Sequence, residues 1–481
     1  MRRFASDWGD LMIRPATPAA YQLLHHGVLA LAAIEHNGIR INLNTINKRR
    51  EDIKEKIRDI EERLRGSKIF KEWQRSFGSK MNINSRAQLA HVLFNKLGYE
   101  AANKTAKGLP STEAEDLERL GIGFVTGYIK QAKLKKVLST YIEDWTVETG
   151  ADGIMHPSFN LHLTETYRSQ CEDPNLQNVP IRDAYIGPLI RSCVEAHDEN
   201  SYFTELDFSG VEVKVSCANH KDPTMMRYLT ERNAQGQLVG DMHKDMAAQI
   251  FMLPKETMPK EIRQTAKNKF VFPSFYGSYY HTMAIDLWND CVKYKHKTTD
   301  GVDLIEHLKS KGIRELGSKD KDVKPVKGTF IYHLQQIEQD YWGRRFATYD
   351  RWKKRIWEQY LRDGGISTLT GFCIHGVFRR NQIINTGTQG PAFHCNLQSI
   401  IWIQEEIRKR KMKTKLVGQV HDSILASVPK NEFDDFAPMA KKIMTKRLCE
   451  TWTWINVPME IEVDRAPLGG SWADKKKIEV A

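Results

Sequence analysis

Two strand-like stretches far apart in the chain, each closing on an aspartate, limit the folds open to it. Residues 201–208 (SYFTELDF) alternate in character and run into Asp207. Residues 415–428 (KLVGQVHDSILASV) read as two short strands joined through His421-Asp422. The text between them, over about 240–365, reads as helix, and a polar, Lys-rich tract at 293–328 within it reads as a surface insertion. The chain before Val147 is also helical. Leu24, Val28, Leu31 and Ile34 recur at helical spacing, and Ile46, Ile53, Ile57 and Ile60 line one side of a charged helix over 46–64. A basic helix over 124–145 carries Lys130, Lys133, Lys135 and Lys136. One sheet interrupted by a helical lobe, and preceded by another, is an α+β fold.

The 481 residues leave room for about three domains or lobes. Hydrophobic residues at 41% and charged residues at 27% exclude a disordered, collagenous or purely coiled-coil chain. The excess of 72 Lys+Arg over 60 Asp+Glu tilts the choice of partner towards a polyanion. The apolar run Gly27 to Ile34 is too short to span a bilayer, so no membrane partner is expected. Met1-Arg-Arg leads into Phe-Ala-Ser-Asp-Trp rather than an apolar signal core. The seven cysteines are odd in number and form no CxxC pair, which points to a reducing intracellular compartment.

A single Asp at a strand end is ordinarily a turn former or helix cap. Two on neighbouring strand ends offer more. Hard carboxylate oxygens suit Mg²⁺, which keeps waters and takes further ligands from substrate phosphates, and Mn²⁺ accepts a similar oxygen set. Such a pair could hold two Mg²⁺ ions about 4 Å apart for in-line phosphoryl transfer.

The segment Asp207-Phe-Ser-Gly-Val-Glu212 resembles motif A of the family A (DNA polymerase I-like) DNA polymerases, and Gln419-Val-His-Asp422 resembles motif C. Residues 104–112 (KTAKGLPST), 168–182 (RSQCEDPNLQNVPIR), 241–243 (DMH), 263–277 (RQTAKNKFVFPSFYG), 368–371 (TLTG), 385–390 (NTGTQG) and 470–473 (GSWA) are similar to further family segments and fall in the family's order. The resemblance covers roughly 21–475 and is similar in pattern to phage-type members. It implies a right-hand polymerase fold, with an antiparallel-sheet palm and helical thumb and fingers. The expected layout is an N-terminal segment 1–20, thumb 21–146, palm 147–235 and 366–481, and fingers 236–365 including the insertion 293–328.

The resemblance also implies roles. Asp207, Asp422 and the backbone oxygen of Phe208 would hold metal. Arg263, Lys267, Phe272, Tyr276, Glu212 and His243 would meet the incoming dNTP, with Lys267 also the proton donor to pyrophosphate. Arg168, Gln177, Asn178, Gln389 and His421 would touch primer or template, and Lys133 the duplex backbone. Glu212 with Tyr276 would crowd the sugar 2′ position, which separates this chain from single-subunit RNA polymerases. The Lys-to-Tyr spacing is one residue longer than the family's, and Pro273 interrupts the helix. A kink or π-bulge near 269–273 would absorb the extra residue, while straight-helix spacing puts Lys269 nearer the Tyr276 face than Lys267. Ser423 stands where a second motif C carboxylate is common. A fold-retaining, inactive nucleic-acid-binding scaffold would have lost Asp207 or Asp422, and both are present. About 20 residues before the thumb-like helix are too few for an exonuclease domain. The expectation is therefore no intrinsic 3′–5′ exonuclease, with an exonuclease or processivity subunit on a separate chain.

Overall fold

β1 (Ser201–Phe208) is the middle strand of a five-stranded antiparallel sheet. It pairs on one side with β3 (Ser423–Pro429), which is joined to β2 (Lys415–Val420) by a two-residue turn. On the other side it pairs with β4 (Ile461–Arg465), followed by β5 (Lys476–Ile478). The order is β2-β3-β1-β4-β5, so the two stretches read as strands from sequence lie side by side. Ile424, Ala426 and Val428 of β3 are fully buried on one face, while Ser423, opposite Asp207, shares the other. This computed structural model describes residues 14–480 apart from 102, 106–107, 181–182 and 184. Most of the expected N-terminal segment 1–20, and parts of the 104–112 and 168–182 segments, lie outside the described residues.

Helices surround the sheet in two groups. α1 (Pro18–Asn37) starts at a Thr17 cap with Pro18 in its first turn. It lies against the sheet and the long helix over 380–409: the Asn37 amide donates to the Leu416 carbonyl of β2 at 2.8 Å, and the Gln404 amide of that helix donates to the Ala30 carbonyl at 2.9 Å. α2 (Leu43–Arg65) buries Ile46, Ile53, Ile57 and Ile60, the stripe read from sequence, and packs on α3 (Gly123–Val137). These helices share one buried core with the sheet.

A second core holds most of the helices between β1 and β2. α4 (Val211–His220) leaves β1 through Gly210, whose left-handed φ of 64° favours glycine. α5 (Lys260–Ala266) runs into a π-helical turn, Lys267–Val271, and then a short helix, Phe272–Phe275. The surplus residue is therefore absorbed just N-terminal to Pro273. α6 (Tyr280–Tyr294) follows, and α7 (Leu304–Ser310) lies inside the Lys-rich tract. That tract is not wholly surface: Leu304, Leu308 and Ile313 insert into the second core and anchor it. α8 (Ala347–Asp363) spans both cores, and α9 (Arg380–Lys409), nearly enclosed and buried mainly in the first core, returns the chain to the sheet. No helix among the described residues is long and apolar enough to cross a membrane.

Candidate active site

The pairing of β1 with β3 sets Asp207 opposite Ser423, directly beside Asp422 in the sequence. The Phe208 amide donates to the Asp422 carbonyl at 3.3 Å, joining the strand end to the hairpin turn. His421 in that turn takes a left-handed φ of 52°, a conformation costly for a non-glycine residue. Asn396 of α9 braces it from below, its amide donating to the carbonyls of His421 and Ser423 at 3.3 and 3.4 Å.

Burial, together with the negative charges of Glu205 and Asp422, pushes the Asp207 carboxyl up to about 7, against the opposing charge of Lys475. Burial raises Asp422 as well, opposed by Arg168 and His421. The fold thus holds two hard-oxygen donors in a setting that disfavours their ionisation, and a divalent cation would relieve that cost. Among the described residues no three His, Cys, Asp or Glu side chains converge into a closed metal cage. Two carboxylates with open positions fit Mg²⁺, which retains water and substrate oxygens.

A pocket opens beside Asp422 and His421, walled by Glu212, Phe272, Tyr276, Tyr349 and Asn385. Glu212, in the first turn of α4, is gripped through both oxygens: the Tyr276 hydroxyl donates to one and the Arg168 guanidinium pairs with the other. This three-residue bridge ties the helix after the π turn to α4 and to the 168–178 segment.

Among the helices of the second core, Arg263 donates to Asp241 at 2.7 Å. Asp241 itself caps the helix that begins at Met242. His243 meets the Phe272 ring edge-on at 5.6 Å, and the Lys267 ammonium lies 5.2 Å from the same ring. Burial, followed by the charges of Lys267 and Arg263, lowers the His243 imidazole to about 4, so it is neutral at physiological pH. Its Nδ1 is buried without a hydrogen-bond partner. Lys269 points elsewhere, 3.9 Å from Asp290 of α6. The π turn therefore brings Lys267, and not Lys269, beside Phe272.

Gln177 belongs to a fixed amide chain. Its side chain donates to Gln419 at 2.7 Å and to Ser169 at 2.9 Å, and Gln419 donates onward to the His421 carbonyl. Asn178 is exposed, with its carbonyl accepting from Tyr141 at 2.6 Å. Gln389 is half-buried on α9, one turn beyond Asn385. Lys133 is exposed on α3 and lines no part of this pocket.

Several residues at the site were not singled out from sequence. Asn385 and Thr388 line the pocket and share a helix face with Gln389, so i, i+3 and i+4 spacing was the available signal. Tyr349 arrives from α8 with no local signal, because only the tertiary fold brings it there. Glu205 sits on the Asp207 face of β1, which strand alternation alone could have indicated.

Residues 47–298 and 346–474 match the sequence pattern of DNA polymerase family A, and the gap falls across the Lys-rich tract and the helix after it. The chain is 25% identical to DNA polymerase I of Bacillus subtilis, covering 93% of this chain and 45% of that protein. It is 26% identical to the thermostable DNA polymerase I of Thermus aquaticus, covering 99% and 51%. It is also 26% identical to the DNA polymerase of Bacillus phage SP01, covering 76% and 37%. The chain spans about half the length of the curated DNA polymerase I relatives it matches, or less. Among solved structures, the POL domain of Pol1 from M. smegmatis, in complex with DNA primer-template and dNTP, shares the fold with a TM-score of 0.73. That match has 21% identity and covers 94% of this chain and 70% of that one.

Proposed function

Because the chain belongs to DNA polymerase family A, we propose that it extends a primer 3′ end with dNTPs under the direction of a template. The observation that carries this reading is one arrangement. Asp207 and Asp422 meet on adjacent strand ends, beside a pocket bridged by Glu212–Tyr276 and flanked by the Lys267–His243–Phe272 cluster.

In this proposal Asp207 and Asp422, with the backbone oxygen of Phe208, hold two Mg²⁺ ions, for which Mn²⁺ can substitute. When bound, the ions lower the pKa of the primer hydroxyl and stabilise charge on the departing pyrophosphate. Arg263 and Lys267 grip the triphosphate as cations, His243 adds a neutral imidazole to that wall, and Lys267 supplies a proton to the leaving group. Phe272 packs against the sugar, and Tyr276 closes over the nascent pair. The Glu212 carboxylate, held by Tyr276 and Arg168, occupies the space a ribose 2′-hydroxyl would need and so selects deoxynucleotides.

Arg168, Gln177, Asn178, Gln389 and His421 contact primer and template through phosphates and groove acceptors common to all base pairs. Lys133 and its neighbours meet the duplex backbone, so affinity falls as salt rises. An exonuclease or processivity subunit remains a proposed partner.

The test is extension of a labelled primer, matched or mismatched at its 3′ end, with Mg²⁺ and either dNTPs or rNTPs. Templated extension with dNTPs only, abolished by Asp422→Ala, is the expected result. Extension with rNTPs at comparable rate would favour an RNA polymerase, and tight primer binding without extension would favour an inactive scaffold. Trimming of the mismatch that survives Asp422→Ala would count against the separate-exonuclease part.

A further inference from the structure

The sheet register places more than one carboxylate on the face that carries Asp207. Asp207 lies opposite Glu462 of β4, and two residues earlier Glu205 lies opposite Asp464. Directly paired residues project to the same side of a sheet, so four carboxylates form two rows beneath the Asp422 turn. Two lysines of the C-terminal strand region answer them. The Lys475 ammonium lies 2.6 Å from Glu205 and 2.8 Å from Asp464, and Lys477 lies 2.8 Å from Glu462. Glu205 is only 8% exposed and is further held by the Trp472 indole N–H at 2.7 Å and the Ser423 hydroxyl at 3.0 Å. Among the described residues Asp207 alone of the four is in no ion pair.

We propose that Lys475 and Glu205 are positioning residues for the metal-binding carboxylates. Lys475, clamped between Glu205 and Asp464, withdraws their charge from the face, so that a divalent cation engages at Asp207 and Asp422 and not along the acidic row. Ser423 takes part by giving its hydroxyl to Glu205, so the position after Asp422 fixes a carboxylate on the neighbouring strand instead of supplying one itself. This inference rests on the polymerase reading for the identity of the metal-binding pair.

The test is Mn²⁺ binding to the full DNA-free chain, followed by the electron paramagnetic resonance signal of free Mn²⁺. Removing one positive charge this close to the carboxylates should tighten binding by about threefold or more. Lys475→Met is therefore expected to bind Mn²⁺ more tightly, Lys475→Arg to match the wild type, and Lys475→Met/Glu205→Gln to return to it. Glu205→Gln alone should weaken binding, and it carries the test if Lys475→Met does not fold. A Lys475→Met protein that melts like the wild type and gives a superimposable Mn²⁺ curve would overturn the proposal. So would a double variant that keeps the single variant's change. The Mg²⁺ concentration for half-maximal primer extension should fall where Mn²⁺ binding tightens and rise where it weakens. A chain that shows these binding shifts yet extends no primer would sink the polymerase reading and leave the charge clamp standing.

Discussion

At the scale of single residues, Glu212 carries two loads: it accepts from Tyr276 and pairs with Arg168. Glu212→Ala removes the carboxylate and leaves the cation without its partner. Discrimination between a dNTP and its ribonucleotide, read as the ratio of kcat/KM values, should fall by at least ~10-fold, which corresponds to ~1.4 kcal/mol. The two lysines of the π turn separate in the same way. Lys267→Ala should raise KM for dNTPs and lower the rate, whereas Lys269→Ala, whose side chain faces Asp290, should leave both within about twofold. Equal effects from the two would mean that Lys267 does not meet the nucleotide. From sequence these lysines could not be told apart, because helical periodicity assumes 3.6 residues per turn and the π turn breaks that count.

At the scale of elements, α9 approaches the 166–168 segment closely. A Cβ built at Gly390 would lie 2.8 Å from the Thr166 carbonyl oxygen, a backbone atom that cannot step aside. Gly390→Ala should therefore push the helix off that segment and cost ~1–3 kcal/mol, seen as a lower midpoint in urea unfolding. Because Arg168 lies two residues beyond Thr166, dNTP affinity should fall with it. The strands 201–208 and 415–428 were legible in sequence, as was the buried stripe of α2, because each carries its own period. α7 was not. Its lysines dominate the composition of 293–328, while Leu304, Leu308 and Ile313 are too few to show that the tract is pinned to a core. The place of α1 against the sheet was equally hidden, since an amphipathic helix shows that one face is buried but not what covers it.

At the scale of the whole molecule, stability carries a pH dependence set by buried groups of opposite sign. His394 is enclosed beside Thr370, and burial lowers its imidazole to about 3. Its folded value lies below the unfolded value of about 6.5. Its contribution is therefore complete above pH 6.5 and lost as pH falls from there towards 3. Asp207 and Glu338, each raised to about 7 chiefly by burial, act in the opposite direction and favour the folded state as pH falls below 7. The net curve mixes these terms, so the His394 term is read as a difference. Relative to His394→Gln, the wild type should lose up to ~1.4 kcal/mol per pH unit below 6.5 in melting experiments. Parallel curves would show that His394 titrates normally in the folded chain.

The central strand has a further consequence, for the timing of synthesis. Ser423 and Glu205 touch across the sheet but lie 218 residues apart in the chain. On a ribosome adding about 5–20 residues per second, β1 waits on the order of 10–40 s for its partner β3, and longer for β4. Through that interval a strand with one largely apolar face has neither edge paired, and two helical lobes are free to condense around it first. The Asp207–Asp422 pair is thus born last. A nascent or truncated chain would already own much of a hand while lacking the proposed metal-binding pair, and the exposed edge of β1 is where an unfinished molecule would be most prone to stick to another.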